Sequence, residues 1–377
     1  MTRKQIIWIL TTLLLITVTL ASCDLPEVTP LPTTEPAPAL STPSEQAAPP
    51  PTEMVEVSPP QTLPIKAGEV NRLAISQRVA VSNIQDIAWS PDSSTLALVT
   101  QNTDAAENQV YGVTLLSAED LSTLSVYSST GNRITSVAAD GKTATVINQD
   151  LMSFSLVDAS TMNGTPRSRI TDYLIGNVTI SPDMRYVAVT KAEFWEVVLF
   201  DFNTLEEVRV LSGFATAAPV FNAGFNSSPQ WLVWHARATL QLQEVETGML
   251  SNPYSHEDFV SYYTLSPDGM ILASAASRYI NNQPVPVVIL WDTLSGTELN
   301  ALEINQQVNA LQFSPDGKLL AVAAGNDLQL WDAAAGNLLT TLTGHTDIIL
   351  ELAFAPDQHT IASAGLDKQL CLWQILQ

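Results

Sequence analysis

Seven turns of the Ser-Pro-Asp type recur at roughly forty to fifty residues, the period of a four-stranded propeller blade. Short apolar runs rich in β-branched residues flank each turn. Together they predict an all-β chain folded as a seven-bladed β-propeller. A third observation predicts how the ring closes. The last repeat, Gly344 to Gln374, is complete except for one strand, and the chain stops at Gln377.

The turns are Ser90-Pro91-Asp92, Ser181-Pro182-Asp183, Ser266-Pro267-Asp268-Gly269, Ser314-Pro315-Asp316-Gly317 and Ala355-Pro356-Asp357. Ala139-Asp140-Gly141-Lys142, without the proline, and Ser227-Ser228-Pro229-Gln230, without the aspartate, complete the seven. Proline pre-sets φ at the second turn position, Asp bonds back to nearby amides, and Gly accepts the positive φ that closes the hairpin.

Residues 308–313 precede one turn and 319–324 follow it; 348–354 and 360–364 do the same in the last unit. A third run in each unit ends in Trp-Asp or an equivalent: 287–292, 328–332 and 369–373, with Phe200 or Val157 replacing Trp in 197–201 and 154–158. A fourth follows a polar or Gly turn, as in 336–342. No long 3.6-residue period occurs, so a helical solenoid is not expected. For the strand missing from the last unit, residues 71–77 are the natural supplier, lying just before the first inner strand at 83–89. Their pairing would remove the open edges of the ring.

Trp331-Asp332, Gly344-His345, Trp373 and Trp291-Asp292 resemble the signatures of the WD40 repeat family. The resemblance covers residues 65–377 and rests on turn motif and spacing toward the amino end. It implies a WD40-like propeller with Velcro closure. It also implies a buried structural network of His345, Ser363, Asp367 and Trp373 in blade seven, rather than a hydrolase triad. A hydrolase serine would need an exposed, strained turn and an oxyanion hole, whereas Ser363 sits in the ordinary strand sequence Ile-Ala-Ser-Ala-Gly. Blade six carries Asn305-Gln306 where Gly-His would stand.

The amino end reads Met-Thr-Arg-Lys, then an apolar run from Ile6 to Leu20, then Leu20-Ala21-Ser22-Cys23. A basic start, a short apolar core and small residues before a cut are signal-peptide features, and the core is short for a membrane span. Leu-Ala-Ser-Cys is similar to the lipobox of bacterial lipoproteins. That resemblance implies a signal peptide over 1–22 and a lipid on Cys23. Residues 24–64 hold 12 of the 23 prolines, six acids, no base and no aromatic. Such a composition cannot build a core, so 23–64 reads as an extended tether. As polyproline II it would reach on the order of 120 Å at ~3.1 Å per residue.

Net charge is −22, and removal of Arg3 and Lys4 with the leader leaves −24. Phosphate recognition needs Lys and Arg clusters, so this charge disfavours DNA, RNA and anionic lipid surfaces, and no nucleic-acid partner is expected. With Cys23 acylated, Cys371 has no disulfide partner and reads as a small buried hydrophobe. His235, His256, His345 and His359 show no metal-ligand spacing, and no Gly-rich loop offers a phosphate cradle. Neither metal nor cofactor is expected.

What remains is a surface. The irregular segments are 102–108 in blade one, 278–286 in blade five and 252–258 leading into blade five. In WD40 propellers such loops share one face. Phe194, Trp195, Phe214, Tyr254, His256 and Tyr279 are the candidate anchors for a protein partner there. The expectation is a monomeric, lipid-anchored, extracytoplasmic propeller that binds a protein and carries no catalysis. Alternatives are an envelope propeller of the Tol or outer-membrane-assembly type, or an enzyme or glycan-binding propeller using the central channel or top face.

Overall fold

The computed structural model describes residues 64–161, 166–192, 196–212 and 222–375. Its 28 strands form seven four-stranded antiparallel sheets. β1 (Leu73–Ala80) follows a single 3-10 turn, Val70–Arg72. Blade one is β2 (Ile84–Trp89), β3 (Thr95–Thr103), β4 (Gln109–Ser117) and β5 (Thr123–Thr130). Blade two is β6 (Arg133–Val137), β7 (Thr143–Ile147), β8 (Ser153–Asp158) and β9 (Arg167–Ile170). Blade three is β10 (Ile175–Ile180), β11 (Tyr186–Lys191), β12 (Glu196–Asp201) and β13 (Glu207–Ser212). Blade four is β14 (Asn222–Phe225), β15 (Trp231–Ala236), β16 (Thr239–Glu244) and β17 (Tyr254–Ser255). Blade five is β18 (Tyr262–Leu265), β19 (Ile271–Ile280), β20 (Gln283–Asp292) and β21 (Glu298–Glu303). Blade six is β22 (Val308–Phe313), β23 (Leu319–Ala324), β24 (Asp327–Asp332) and β25 (Leu338–Thr343). Blade seven is β26 (Ile349–Phe354), β27 (Thr360–Gly365) and β28 (Gln369–Ile375), completed by β1.

The fold is the seven-bladed propeller expected, and its closure is the one expected too. β1 pairs with β28 from Leu73 opposite Ile375 to Ala80 opposite Gln369, with a register shift between Ile75 and Gln77. The strand therefore begins two residues later and runs three further than residues 71–77.

Each Ser-Pro-Asp turn is one device. The Ser hydroxyl donates to the Asp carboxylate at 2.6 Å in Ser90–Asp92 and 2.7 Å in Ser314–Asp316. It accepts the amide that starts the next strand, Thr95 at 2.9 Å and Leu319 at 3.0 Å. The positive φ falls on Gly269 and Gly317, and in other copies on Ser93, Met184 and Gln358. The Asp of Trp-Asp builds the next turn. Asp332 accepts the amides of Ala334 and Ala335 at 3.0 and 2.7 Å.

Seven buried apolar clusters occupy the seven junctions between neighbouring blades. Each blade thus buries both faces against its two neighbours, and the ring is stabilised by interfaces rather than by one central core. Around the channel, inner-strand side chains tie blade to blade. Asp86 accepts the amide of Val137, Thr135 donates to the Val178 carbonyl, and Thr179 accepts the amide of Phe225. Asn226 accepts the Leu265 amide, Gln312 accepts that of Phe354, and the Trp89 indole donates to the Ala353 carbonyl. Six junctions are linked in this way.

Two irregular segments differ from the loops expected. In blade one, β3 and β4 stay paired to Thr103 and Gln109, so only 104–108 form the turn. In blade five, β19 and β20 pair out to Ile280 and Gln283. Asn281 and Asn282, both at positive φ (52° and 61°), close that hairpin with the two-residue turn that matches strand twist.

Candidate functional site

The most reactive-looking constellation lies in blade seven. His345 follows β25, Ser363 lies on β27, Asp367 in the turn after it, and Trp373 on β28. His345 Nδ1 is 2.9 Å from Asp367 Oδ2, and its Nε2 is 2.8 Å from Ser363 Oγ. The carboxylate fixes the proton on Nδ1, so Nε2 accepts the Ser363 hydroxyl proton. Ser363 Oγ in turn accepts the Trp373 indole N–H at 2.8 Å. Burial opposes ionisation of Asp367, but the Thr346 amide, His345 and the Gln369 amide outweigh it and hold the carboxyl below its usual range.

Those are the bonds of a hydrolase triad with the nucleophile sealed. Ser363 has no exposed surface and Trp373 2%. The hydroxyl proton is given to His345 and one lone pair is taken by the Trp373 indole, and with the oxygen fully buried no substrate carbonyl can approach. Every member is satisfied, the condition under which a buried polar network stabilises.

Blade five repeats the arrangement in part. His256 Nε2 is 2.7 Å from Ser274 Oγ, which accepts the Trp291 indole N–H at 2.8 Å. Here the Ala238 carbonyl, 3.2 Å from Nδ1, stands in for the aspartate. Burial pushes His256 down to about 4, so the ring is neutral at pH 7. Blade six substitutes amides. The Trp331 indole donates to Gln329, whose amide reaches Asn305, while Gln306 donates to Asp327. The Asn305-Gln306 pair that replaces Gly-His thus belongs to a working variant of the same network, recognisable in sequence only as a departure.

Of the candidate anchors, Tyr279 is half exposed, with its hydroxyl donating to Asp258 at 3.1 Å. Tyr254 is not on a free face. It is 1% exposed, its hydroxyl donates to the Thr293 carbonyl, and its ring packs edge-on against Trp291. The two-residue strand β17 turns it inward, which the sequence Asn-Pro-Tyr-Ser gave no means of foreseeing. His256 is likewise committed to Ser274 and to the ring of Trp291. Phe194, Trp195, Phe214 and Cys23 lie outside the described residues.

The channel holds a pair that sequence reading missed. Asp86 on β2 and Glu351 on β26 occupy equivalent positions of adjacent inner strands and line one cavity of about 480 Å³. Burial raises Asp86 to about 6 against the pull of the Val137 and Ile87 amides. Burial, and then the charge of Asp86, raise Glu351 well above the usual carboxyl range. Tyr262 occupies the same register position in blade five, and its hydroxyl is raised by burial and by Glu351. Nothing in the local sequence around Asp86 marks it, because its partner is in the last blade.

Comparison with known proteins gives a family match over two units. The model described as WD domain, G-beta repeat matches residues 296–332 and 336–374. Each match begins in the outer strand of one blade and continues through the three inner strands of the next, the same offset that β1 and β28 close. The chain is 29% identical over 148 residues to WD repeat and SOCS box-containing protein 1 of Takifugu rubripes, covering 38% of this chain and 32% of that protein. It is 29% identical over 144 residues to small ribosomal subunit protein RACK1 of Schizosaccharomyces pombe, covering 35% and 43%. Against the human WD repeat and SOCS box-containing protein 1 it is 32% identical over 117 residues, covering 30% and 26%. The chain spans less than half the length of these curated relatives.

Proposed function

We propose that this chain, a propeller with WD-type repeats, is a non-catalytic protein-interaction scaffold held outside the cell membrane by a lipid on Cys23. The observation that carries the scaffold reading is the closed ring. β1 on β28 leaves a closed platform whose His345–Ser363–Trp373 network is satisfied internally, so its chemistry is offered by surfaces rather than by that centre. The WD domain matches in blades six and seven favour this over a Tol-type propeller, which shares only the Ser-Pro-Asp-Gly turn. One relative bears a name that puts a WD repeat beside a SOCS box, and another is named a small ribosomal subunit protein.

The anchor rests on the basic pair Arg3-Lys4, the apolar run from Ile6 to Leu20 and Leu20-Ala21-Ser22-Cys23. Among the described residues no helix is long and apolar enough to cross a membrane. With a net charge of −22, attachment to an anionic surface would come through acyl chains, at about 0.8 kcal/mol per buried methylene.

A pull-down from crosslinked membranes tests the reading. One protein recovered in stoichiometric amount is the expected result. No partner, together with turnover on an ester or sugar panel, would overturn it.

A further inference from the structure

In each blade the turn between the first two strands and the turn between the last two lie at the same end of the propeller. At that end, across blades four and five, is a groove of about 380 Å³. Trp231, Met249, Leu250, Met270 and Leu294 make its apolar lining. Met249, Met270 and Leu294 are 68%, 51% and 86% exposed. Single exposed apolar side chains need no explanation, but several converging on one concavity mark an interaction site. Methionine is flexible and polarisable, and suits a surface that accommodates varied apolar shapes.

The groove is kept open by a backbone requirement. A Cβ at Gly269, already at φ +72°, would meet the Trp231 ring at 3.0 Å. The indole N–H of Trp231 has no hydrogen-bond partner among the described residues and so remains available for an incoming acceptor.

The rim is acidic. Glu244 and Asp268 line the groove, and no Lys or Arg does. Glu244 is held by Gln230 and Thr247, Asp268 by Ser266 and the Met270 amide, so both carboxylates are fixed in place. Neither forms an ion pair among the described residues. An apolar floor under fixed, unneutralised negative charge is complementary to aliphatic side chains flanked by cations. A second copy of this chain, itself at −22, is the wrong complement.

We propose that this groove is the docking site for a basic, apolar-anchored segment of a protein partner. The proposal rests on the scaffold reading above and names the surface that would perform it. Leu294 and Met249 are the anchors' contacts, Trp231 the rigid wall, and Glu244 and Asp268 the selectors for lysine or arginine.

The test is a fluorescence-anisotropy titration of the full chain in neutral detergent micelles, with empty micelles as the blank. Three labelled peptides are compared: an amphipathic Leu/Lys peptide, a Leu/Glu twin and a Ser/Lys twin. Both twins should bind at least roughly tenfold more weakly than the Leu/Lys peptide. The double variant Met249→Glu, Leu294→Glu should weaken Leu/Lys binding by a similar factor, as truncation of central anchors does. Leu124→Glu, on the exposed face of β5, should leave it unchanged. Equal binding by the Ser/Lys twin, or an unaltered titration with the double variant, overturns the proposal. Both substituted side chains are exposed, and a matching melting curve confirms that the variant is folded. In the crosslinked pull-down, a double variant that keeps the wild-type partner removes the groove and leaves the scaffold reading standing. No partner for the wild type removes the scaffold reading, while the titration still decides the groove.

Discussion

The Ser76 hydroxyl donates to the Leu372 carbonyl at 3.1 Å, joining the first strand of the propeller to the last across 296 residues of sequence. That bond lies at the register shift of the β1–β28 ladder, where Ile75 still faces Trp373 and Gln77 faces Leu372. Closure of this kind covers two edges at once. It also makes the integrity of every junction depend on a strand that precedes the first blade.

Deletion of residues 70–77 is therefore expected to unfold the domain cooperatively. Deletion of residues 25–60 is expected to leave its melting temperature unchanged. Circular dichroism melts decide this, and the reverse pattern would show that the ring does not depend on β1.

Ser363→Ala should destabilise by roughly 1–3 kcal/mol, because it leaves the His345 and Trp373 ring nitrogens buried without their shared partner. Urea unfolding measures the loss. Wild-type protein should at the same time remain unlabelled by a fluorophosphonate probe, and labelling at Ser363 would reinstate a hydrolytic reading.

The channel carboxyls and the turn carboxyls contribute to stability at opposite ends of the acid range. Asp86 and Glu351 have raised carboxyl pKa values, so their favourable contribution is complete below the ordinary carboxyl range; that of Asp86 is lost as pH rises through about 6, and that of Glu351 is lost in the same direction. The turn carboxyls act in the opposite sense. Asp92 is lowered to about 2, first by the Ser90 and Ser94 hydroxyls, so its contribution is present above the ordinary range and fades in acid. Glu351 faces Asp86 from blade one and Tyr262 from blade five. Glu351→Gln should raise Tm by about 2 °C or more at pH 8, and by less at pH 5. An equal rise at both pH values would mean that Glu351 is not titrating in the channel.

Cys23→Ala should abolish labelling by a radioactive fatty acid and release the protein from sedimented membranes, since the acyl chains are the anchor. Undiminished retention would replace the lipoprotein reading with an uncleaved apolar anchor.

The blade count was legible because each turn is local. Ser, Pro and Asp set dihedrals and hydrogen bonds within six residues, as in Ser90 to Thr95, so the motif means the same thing wherever it recurs. The His345 set was legible through its resemblance to a repeated pattern. Tyr254 was not, because an aromatic beside Asn-Pro reads equally as a surface anchor or as a plug, and only the neighbouring Trp291 and Thr293 settle which it is.

Sequence alone determined the seven-bladed architecture, the missing strand and the segment that fills it, since these follow from short-range turn chemistry and a constant period. Tertiary structure alone decided which side chains meet across blades. It put Asp86 and Glu351 in one channel, turned Tyr254 inward and gathered Trp231, Met249, Met270 and Leu294 into one groove. Those contacts depend on the rotation that each blade makes relative to the next. No residue encodes that rotation by itself, because it emerges from the packing of seven interfaces around a ring.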